Sequence, residues 1–268
     1  MLKANYHTHT ARCHHAVGTD EEYVQAAMAG GFDVLGFSDH TPWPFRSGFV
    51  SKIRMGCEDF ADYLDSVRGM RQRFEGRLTI VPGLEVEYFP SYRDHMLWLR
   101  DQGIEYFILG QHYCGSEESD PYIGFECQED DGVRRYRDYV IAGIESGLFC
   151  YVAHPDLFMR HRTTAEYNAV CEEACRDICL CAKAHGMPVE VNLLGLDLHR
   201  HGKERGYPAE PFWQQAAQYG NDVVLGVDAH DPAALADRTL WEDGITYLEE
   251  HHLKWLAEPD VTAALRKI

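Results

Sequence analysis

Seven short apolar runs, each followed by a loop and a helix-like segment, limit the folds open to this chain more than any other feature. The runs are KANYH at 3–7, VLGFS at 34–38, the core of LTIVPGLEVEY at 78–88, YFILGQ at 106–111, FCYVA at 149–153, PVEVN at 188–192 and VVLGV at 223–227. Thr19 and Glu22 form a capping box for a helix reaching about residue 29, where Gly30-Gly31 stops it. Further helices are expected near 58–74, 95–102, 133–145, 165–185 and 211–219, and short helical pieces close the chain. Strands alternating with helices mean βαβ units and a parallel sheet. Most of the runs are continuously apolar, as strands covered on both faces should be. Seven such units in 268 residues fit a closed or nearly closed barrel better than an open doubly wound sheet, which gives a similar pattern.

Polar residues stand where these runs end. YHTHTARCHHA at 6–16 carries His7, His9, His14 and His15. In extended backbone, residues i and i+2 share a face, so His7 and His9 project side by side and suit one metal ion. The second run ends in Asp39 and His40, the third in Glu85 and Glu87, and the fourth in His112. His154 and Asp156 follow the fifth, Glu190 and Asn192 end the sixth, and Asp228 and His230 follow the seventh. In a barrel of parallel strands all these ends open onto one face, where active sites are built. Histidine and carboxylate without an obvious cysteine suit zinc, iron or manganese, and the surplus of ligands suggests two or three ions with a bridging group. Asp39 either orients a neighbouring imidazole or caps the loop before Pro42.

The formal net charge of -18 repels a polyphosphate backbone and counts against a nucleic-acid partner. No apolar run approaches the length that spans a bilayer, and no basic-then-apolar leader opens the chain; a cytoplasmic protein without a membrane partner is expected. The nine cysteines form no C-x-x-C pair and read as reduced thiols. Cys171, Cys175 and Cys179 recur at helical spacing and are expected on the core side of their helix. The sequence leaves the oligomeric state open.

HTHT at 7–10, His15-Ala16, SDH at 38–40, Glu85, His112, His154 and Asp228-Ala229-His230 occur in an order that resembles the polymerase-and-histidinol-phosphatase (PHP) family over nearly the whole chain. HPDLF at 154–158, EVN at 190–192 and Tyr207-Pro208 are similar to its histidinol-phosphatase branch. The resemblance implies one α/β domain over 1–268, a distorted (β/α)7 TIM-like barrel with a trinuclear centre. His7, His9, Glu85 and Asp228 would hold one metal. Glu85, His112 and His154 would hold a second, with Glu85 bridging, and His15, His40 and His230 a third. Arg160 resembles a phosphate-binding arginine, and Arg200 or Arg205 would supply another. His14 matches no role. NLLGLDLHRHGKERGYP stands where that branch usually has a shorter segment beginning NTAGL.

The activity implied is a metal-dependent phosphomonoesterase on a small phosphorylated metabolite, histidinol phosphate first, using a metal-bridging hydroxide. Three divalent ions carry about +6, against about -2 from Glu85 and Asp228, so the surplus attracts a hydroxide and a phosphate dianion. Asp228 or His230 would protonate the leaving alcohol. Three other readings remain. A nucleotide or phosphotyrosine could be the substrate of the same chemistry. An amidohydrolase would usually place a lysine at the end of the fourth strand, where this chain has GQHYC. A non-catalytic metal-binding domain would tolerate loss of His7, His9, Glu85 or Asp228, all of which are present.

Overall fold

The computed structural model describes residues 2–202 and 206–266. Its strands are β1 (Ala4–Asn5), β2 (Val34–Phe37), β3 (Thr79–Val86), β4 (Tyr106–Leu109), β5 (Tyr151–Val152), β6 (Val189–Asn192), β7 (Asp222–Gly226) and β8 (Lys254–Trp255). They form one sheet in chain order, every neighbouring pair parallel. The long helices between them are α1 (Asp20–Gly30), α2 (Phe60–Arg73), α3 (Arg93–Gln102), the single turn α4 (Ile123–Glu126), α5 (Asp130–Glu145), α6 (Ala169–His185), α7 (Leu193–Arg200) and α8 (Glu210–Tyr219). Helices α9 (Pro232–Ala236), α10 (Arg238–Glu250) and α11 (Ala263–Arg266) close the chain. The α1 capping box is formed as expected, with Thr19 and Glu22 satisfying each other's backbone N–H groups.

The ladder from β1 to β8 does not close on itself, yet the chain past β1 meets the chain past β7 at the mouth. A parallel bridge joins Thr8 to Ala229, beyond the ends of β1 and β7. His9 N–H donates to the Ala229 carbonyl at 2.9 Å, and the Asn5 side chain accepts from Val227 N–H at 2.8 Å. This seam brings the HTHT segment against the Asp228 segment, which lie at opposite ends of the sequence.

Two apolar layers support the arrangement. One lies between strands and helices and includes Leu35, Phe37, Leu84, Phe107, Val191 and Leu225. Cys171, Cys175 and Cys179 belong to it, as expected of small buried thiols on the inner face of α6. The other fills the barrel interior with Val34, Val81, Tyr106, Ile108, Tyr151 and Val224. Tyr106 passes its hydroxyl across the interior to the carbonyls of Tyr6 and Phe37, at 2.8 and 3.0 Å. Gly36 and Gly83 give it room, since a Cβ on either would stand 2.2 Å from its ring or hydroxyl atoms.

The sequence reading differs from the structure in several places, one being α10, a helix of 13 residues where only short pieces were expected. An eighth strand pairs with β7, but only two of its residues do so, too few for an apolar run to announce it. The segment after Asn192 folds at once into α7 rather than remaining loop, because the Asn192 side chain accepts from Gly195 N–H and caps it. The loop after β4 contains α4, four residues long.

Tyr106→Phe should therefore destabilise the fold by about 1–3 kcal/mol, the cost of leaving buried carbonyls without a donor. Urea unfolding checks this; an unchanged midpoint would mean the hydroxyl is dispensable.

Candidate metal centre

Strand ends place the polar side chains at one mouth of the barrel. Glu85, one residue from the end of β3, is at its centre and only 1% exposed. Its oxygens face five imidazole nitrogens: His154 Nε2 at 2.8 Å, His40 Nδ1 at 3.0 Å, His9 Nε2 at 3.3 Å, and His7 and His112 Nε2 each at 3.5 Å. Asp228 Oδ1 lies 3.3 Å from both His7 Nε2 and His9 Nε2. A second group continues outward. His230 Nε2 is 3.0 Å from His15 Nε2, and the His9 and His230 rings stack with centroids 4.3 Å apart. His9, His40 and His230 have ring nitrogens close enough to share one ion, and the ring nitrogens and carboxylate oxygen of His7, His9 and Glu85, and of His7, His154 and Asp228, are equally close.

Four of the histidines are aimed by groups behind them. Glu190 takes the Nδ1 of His7 at 2.8 Å, which turns Nε2 toward Glu85 and Asp228. Asn192 Nδ2 donates to Glu190 Oε1 and Asp228 Oδ2, both at 3.0 Å, leaving Asp228 Oδ1 turned to the centre. His112 Nδ1 meets Glu87 Oε1 at 3.2 Å. His15 and His230 direct Nδ1 to the carbonyls of Cys13 and Asp228, at 2.6 and 3.0 Å. Two ligand positions, His154 at φ 30° and Asp228 at φ 52°, adopt the left-handed backbone region, which a non-glycine residue holds only where its surroundings compel it. Gly110 leaves space for Glu85, because a Cβ there would stand 2.0 Å from Oε1.

Electrostatics divides the cluster. Burial lowers the pKa of His7 and His9, but Asp228, Glu85 and, for His7, Glu190 overcome it; His7 is raised well above its ordinary value and His9 to about 9. Burial opposes ionisation of Glu85 and Asp228, yet the imidazoles hold both well below the usual carboxylate range. The outer group is different. Burial and the neighbouring His9 lower His40 well below its ordinary value and His230 to about 3, and burial lowers His15. Those three therefore present neutral lone pairs.

The donor set fits divalent cations. His7 Nε2, His9 Nδ1 and Nε2, His40 Nδ1, His154 Nδ1, Glu85 Oε2 and Asp228 Oδ1 are buried without a hydrogen-bond partner. Such groups cost desolvation energy unless something satisfies them. Ligands around a tetrahedral ion at about 2.0–2.1 Å stand roughly 3.3–3.4 Å apart. The separations of 3.3 Å between His7 and Asp228, His9 and Asp228, and His9 and Glu85 match that spacing.

A cavity of about 510 Å³ opens over the cluster. His15, His40, Glu85, His112, His154, Asp228 and His230 form its floor, and Arg160 stands in its wall. Tyr113, Tyr122, Phe125, Leu194, Leu198 and Tyr207 supply most of the remaining lining. Arg160 Nη1 donates to the Tyr122 hydroxyl at 3.2 Å. Arg200 is not brought here: at the end of α7 it pairs with Asp243 of α10, outside the cavity lining. Arg205 lies outside the described residues. Asp39 orients no imidazole; both its oxygens accept from Thr10, backbone and hydroxyl, at 2.8 Å, which makes it a loop cap.

The supporting roles of Glu190, Asn192 and Glu87 were not assigned from sequence, although each stands at a strand end. An acid inside a continuously buried strand, as in VEVN, was the available signal.

Comparisons with known proteins follow the same lines. A family model of the PHP domain matches residues 5–194. The chain is 32% identical over 239 residues to a protein of Deinococcus radiodurans named probable histidinol-phosphatase, covering 87% of this chain and 88% of that one. It is 24% identical over 257 residues to the histidinol-phosphatase of Bacillus subtilis, covering 86% and 94%. Among solved structures, histidinol phosphate phosphatase from Lactococcus lactis, complexed with zinc, L-histidinol and phosphate, superimposes with a TM-score of 0.72. That structure is 17% identical, with 95% of each chain covered, and shows the likeness of fold.

At neutral pH the raised pKa values of His7 and His9 favour their protonated forms, and a cation must displace those protons. Loading the metal-free protein with a divalent ion near pH 7.5 should release at least about one proton, and affinity should climb as pH rises toward 9. Calorimetry in buffers of different ionisation enthalpy measures this; uptake with no proton release would contradict the charge assignment.

Proposed function

This chain belongs to the PHP domain family, and on that footing we propose that it is a metal-dependent phosphomonoesterase, histidinol-phosphate phosphatase in particular, converting L-histidinol phosphate and water to L-histidinol and phosphate. The observation that carries the reading is the convergence of nine ligand-capable side chains at one mouth, seven of which line one cavity together with Arg160, in a chain whose relatives bear that name. His7, His9, Glu85 and Asp228 would hold one ion. Glu85, His112 and His154 would hold a second, and His15, His40 and His230 a third. Two or three such ions of zinc, iron or manganese would supply an activated water at neutral pH and offset charge on the phosphoryl and leaving oxygens.

The protein's own groups do the rest. Arg160 offers a planar guanidinium to the phosphoryl oxygens, and Tyr122 braces it from behind. The aromatic and aliphatic wall from Tyr113 to Tyr207 covers the leaving group and excludes bulk water. The proton handed to the departing alcohol has two candidate sources at the cavity floor, His230 and Asp228. His230 Nδ1 is engaged by a carbonyl, and Asp228 is the residue tested below. Its Oδ1 is unpartnered and faces the cavity, while Asn192 fixes Oδ2.

The reading includes a cytoplasmic location, where phosphorylated metabolites and reduced thiols coexist; the cysteines of the described residues are free. Among the described residues no helix is long and apolar enough to cross a membrane.

Asp228→Asn should lower kcat by roughly 10²–10⁴-fold while the protein stays folded. Near-normal turnover with metals still bound would remove this residue from the mechanism. Arg160→Ala should raise KM for histidinol phosphate by about ten- to a hundredfold with a smaller change in kcat, the loss of one charge-assisted hydrogen-bonding pair. Unchanged kinetics would put the phosphate elsewhere. A screen of metal-loaded protein against histidinol phosphate, nucleotides and phosphotyrosine tests the substrate directly, and preference for one of the latter two would overturn the specific assignment.

A further inference from the structure

Arg54 lies in the long loop between β2 and α2, a place where arginines usually point to solvent. Here it is 1% exposed. All three nitrogens of its guanidinium donate. Nη2 donates to Glu87 Oε1 at 2.8 Å and Nη1 to Glu87 Oε2 at 3.0 Å, forming a two-pronged pair. Nη1 also donates to the Thr41 carbonyl at 3.1 Å, and Nε donates to Glu117 Oε2 at 2.7 Å. Trp43 Nε1 donates to Glu87 Oε2 at 3.0 Å from the other side.

Glu87 is thus fixed at both oxygens, and Oε1 is the one that meets His112 Nδ1 at 3.2 Å. That contact decides which nitrogen of His112 faces Glu85. His112 itself sits past the end of β4, on a loop, with no ladder partner to fix its ring. It is less buried than His7 or His154, at 8% against 0% and 3%. His7 has its own aiming carboxylate, Glu190, braced by Asn192. Glu87 braced by Arg54 is the equivalent support on the opposite side of Glu85. The two differ in kind. Glu190 is held by neutral Asn192, whereas Glu87 depends on a buried cation delivered by a distant loop. The same cation grips Glu117, whose Oε1 also accepts from the Ser51 hydroxyl at 2.7 Å.

We infer that Arg54 is a positioning residue for the metal centre: through Glu87 it aims His112, and so sets the affinity of the ion shared by His112, His154 and Glu85. This rests on the proposed reading of those three as metal ligands. Buried pairs of this kind fix one geometry at the expense of adaptability, since the guanidinium fork accepts a carboxylate in a single orientation. Outer partners of metal-bound histidines typically govern affinity by 10–100-fold. Lysine cannot replace the fork, having a single charged nitrogen.

The test uses the whole protein, stripped of metal and titrated with Co²⁺, following the visible spectrum and the number of ions bound. Arg54→Met and Glu87→Gln should each weaken one class of ion by about tenfold or more and alter its absorption bands, leaving the remaining ions within twofold of wild type. Arg54→Lys should fall between. Glu117→Gln, which cuts only the loop arm of the network, should leave the titration within twofold. Glu87→Gln carries the test if Arg54→Met fails to fold, because Arg54 then keeps Glu117 as its counter-charge, whereas Arg54→Met leaves both carboxylates without a cation. Folded Glu87→Gln protein that binds every ion with wild-type affinity and an unchanged spectrum would overturn the inference. So would an equal loss in Glu117→Gln, which would place the effect in the loop. Failure of the wild-type protein to bind Co²⁺ at all would instead overturn the metal-centre reading on which the inference stands.

Discussion

One buried carboxylate organises this molecule. Glu85 is almost wholly removed from water, and a charge in that position is tolerable only if opposite charge surrounds it. Five imidazoles from four segments of the chain face it at 2.8 to 3.5 Å, and those of His7 and His9 are held toward their charged forms. The parallel barrel is the framework that makes such a gathering possible, because every strand ends on the same face. Its seam between Thr8 and Ala229 is equally necessary, since without it the first and last contributors, His7, His9 and Asp228, would not meet.

The surrounding construction reads as consequence of that choice. Room for Glu85 requires glycine at 110. Turning His154 and Asp228 inward requires left-handed backbone at two non-glycine positions, and strain of that kind persists where packing and function enforce it. Pointing the right nitrogen inward is helped by an acceptor behind the rings of His7, His112, His15 and His230, supplied by Glu190, Glu87 and the carbonyls of Cys13 and Asp228. What remains is a set of buried lone pairs with nothing to bond, surrounding the floor of a cavity large enough for a small phosphate ester. An acidic protein can offer such a site to an anion because the cations, not the surface, set the local charge.

The parts visible in the sequence were those where burial and chemistry coincide in one short segment. A continuous apolar run ending in His or an acid announces both a strand and a polar side chain at its end, as in VLGFSDH and VVLGVDAH, and these fell at the same mouth. The parts that escaped depend on partners far away in sequence. Arg54 in SKIRMG reads as a solvated loop residue, and only the fold shows Glu87 and Glu117 closing on it. Arg200 resembled a phosphate ligand by its neighbourhood, but α7 directs it to Asp243. Asp39, beside a ligand histidine, spends both oxygens on Thr10 instead. Short elements such as α4 and β8 escaped because a few residues carry no period.

The central claim is that these strand-end side chains enclose several divalent ions. Anomalous diffraction from crystals of the protein grown with zinc or manganese tests it most directly. The account requires two or three strong peaks clustered within a few ångströms of Glu85, each within bonding distance of the imidazoles and carboxylates named above. A well-ordered site with those side chains in place and no anomalous peak among them would contradict it.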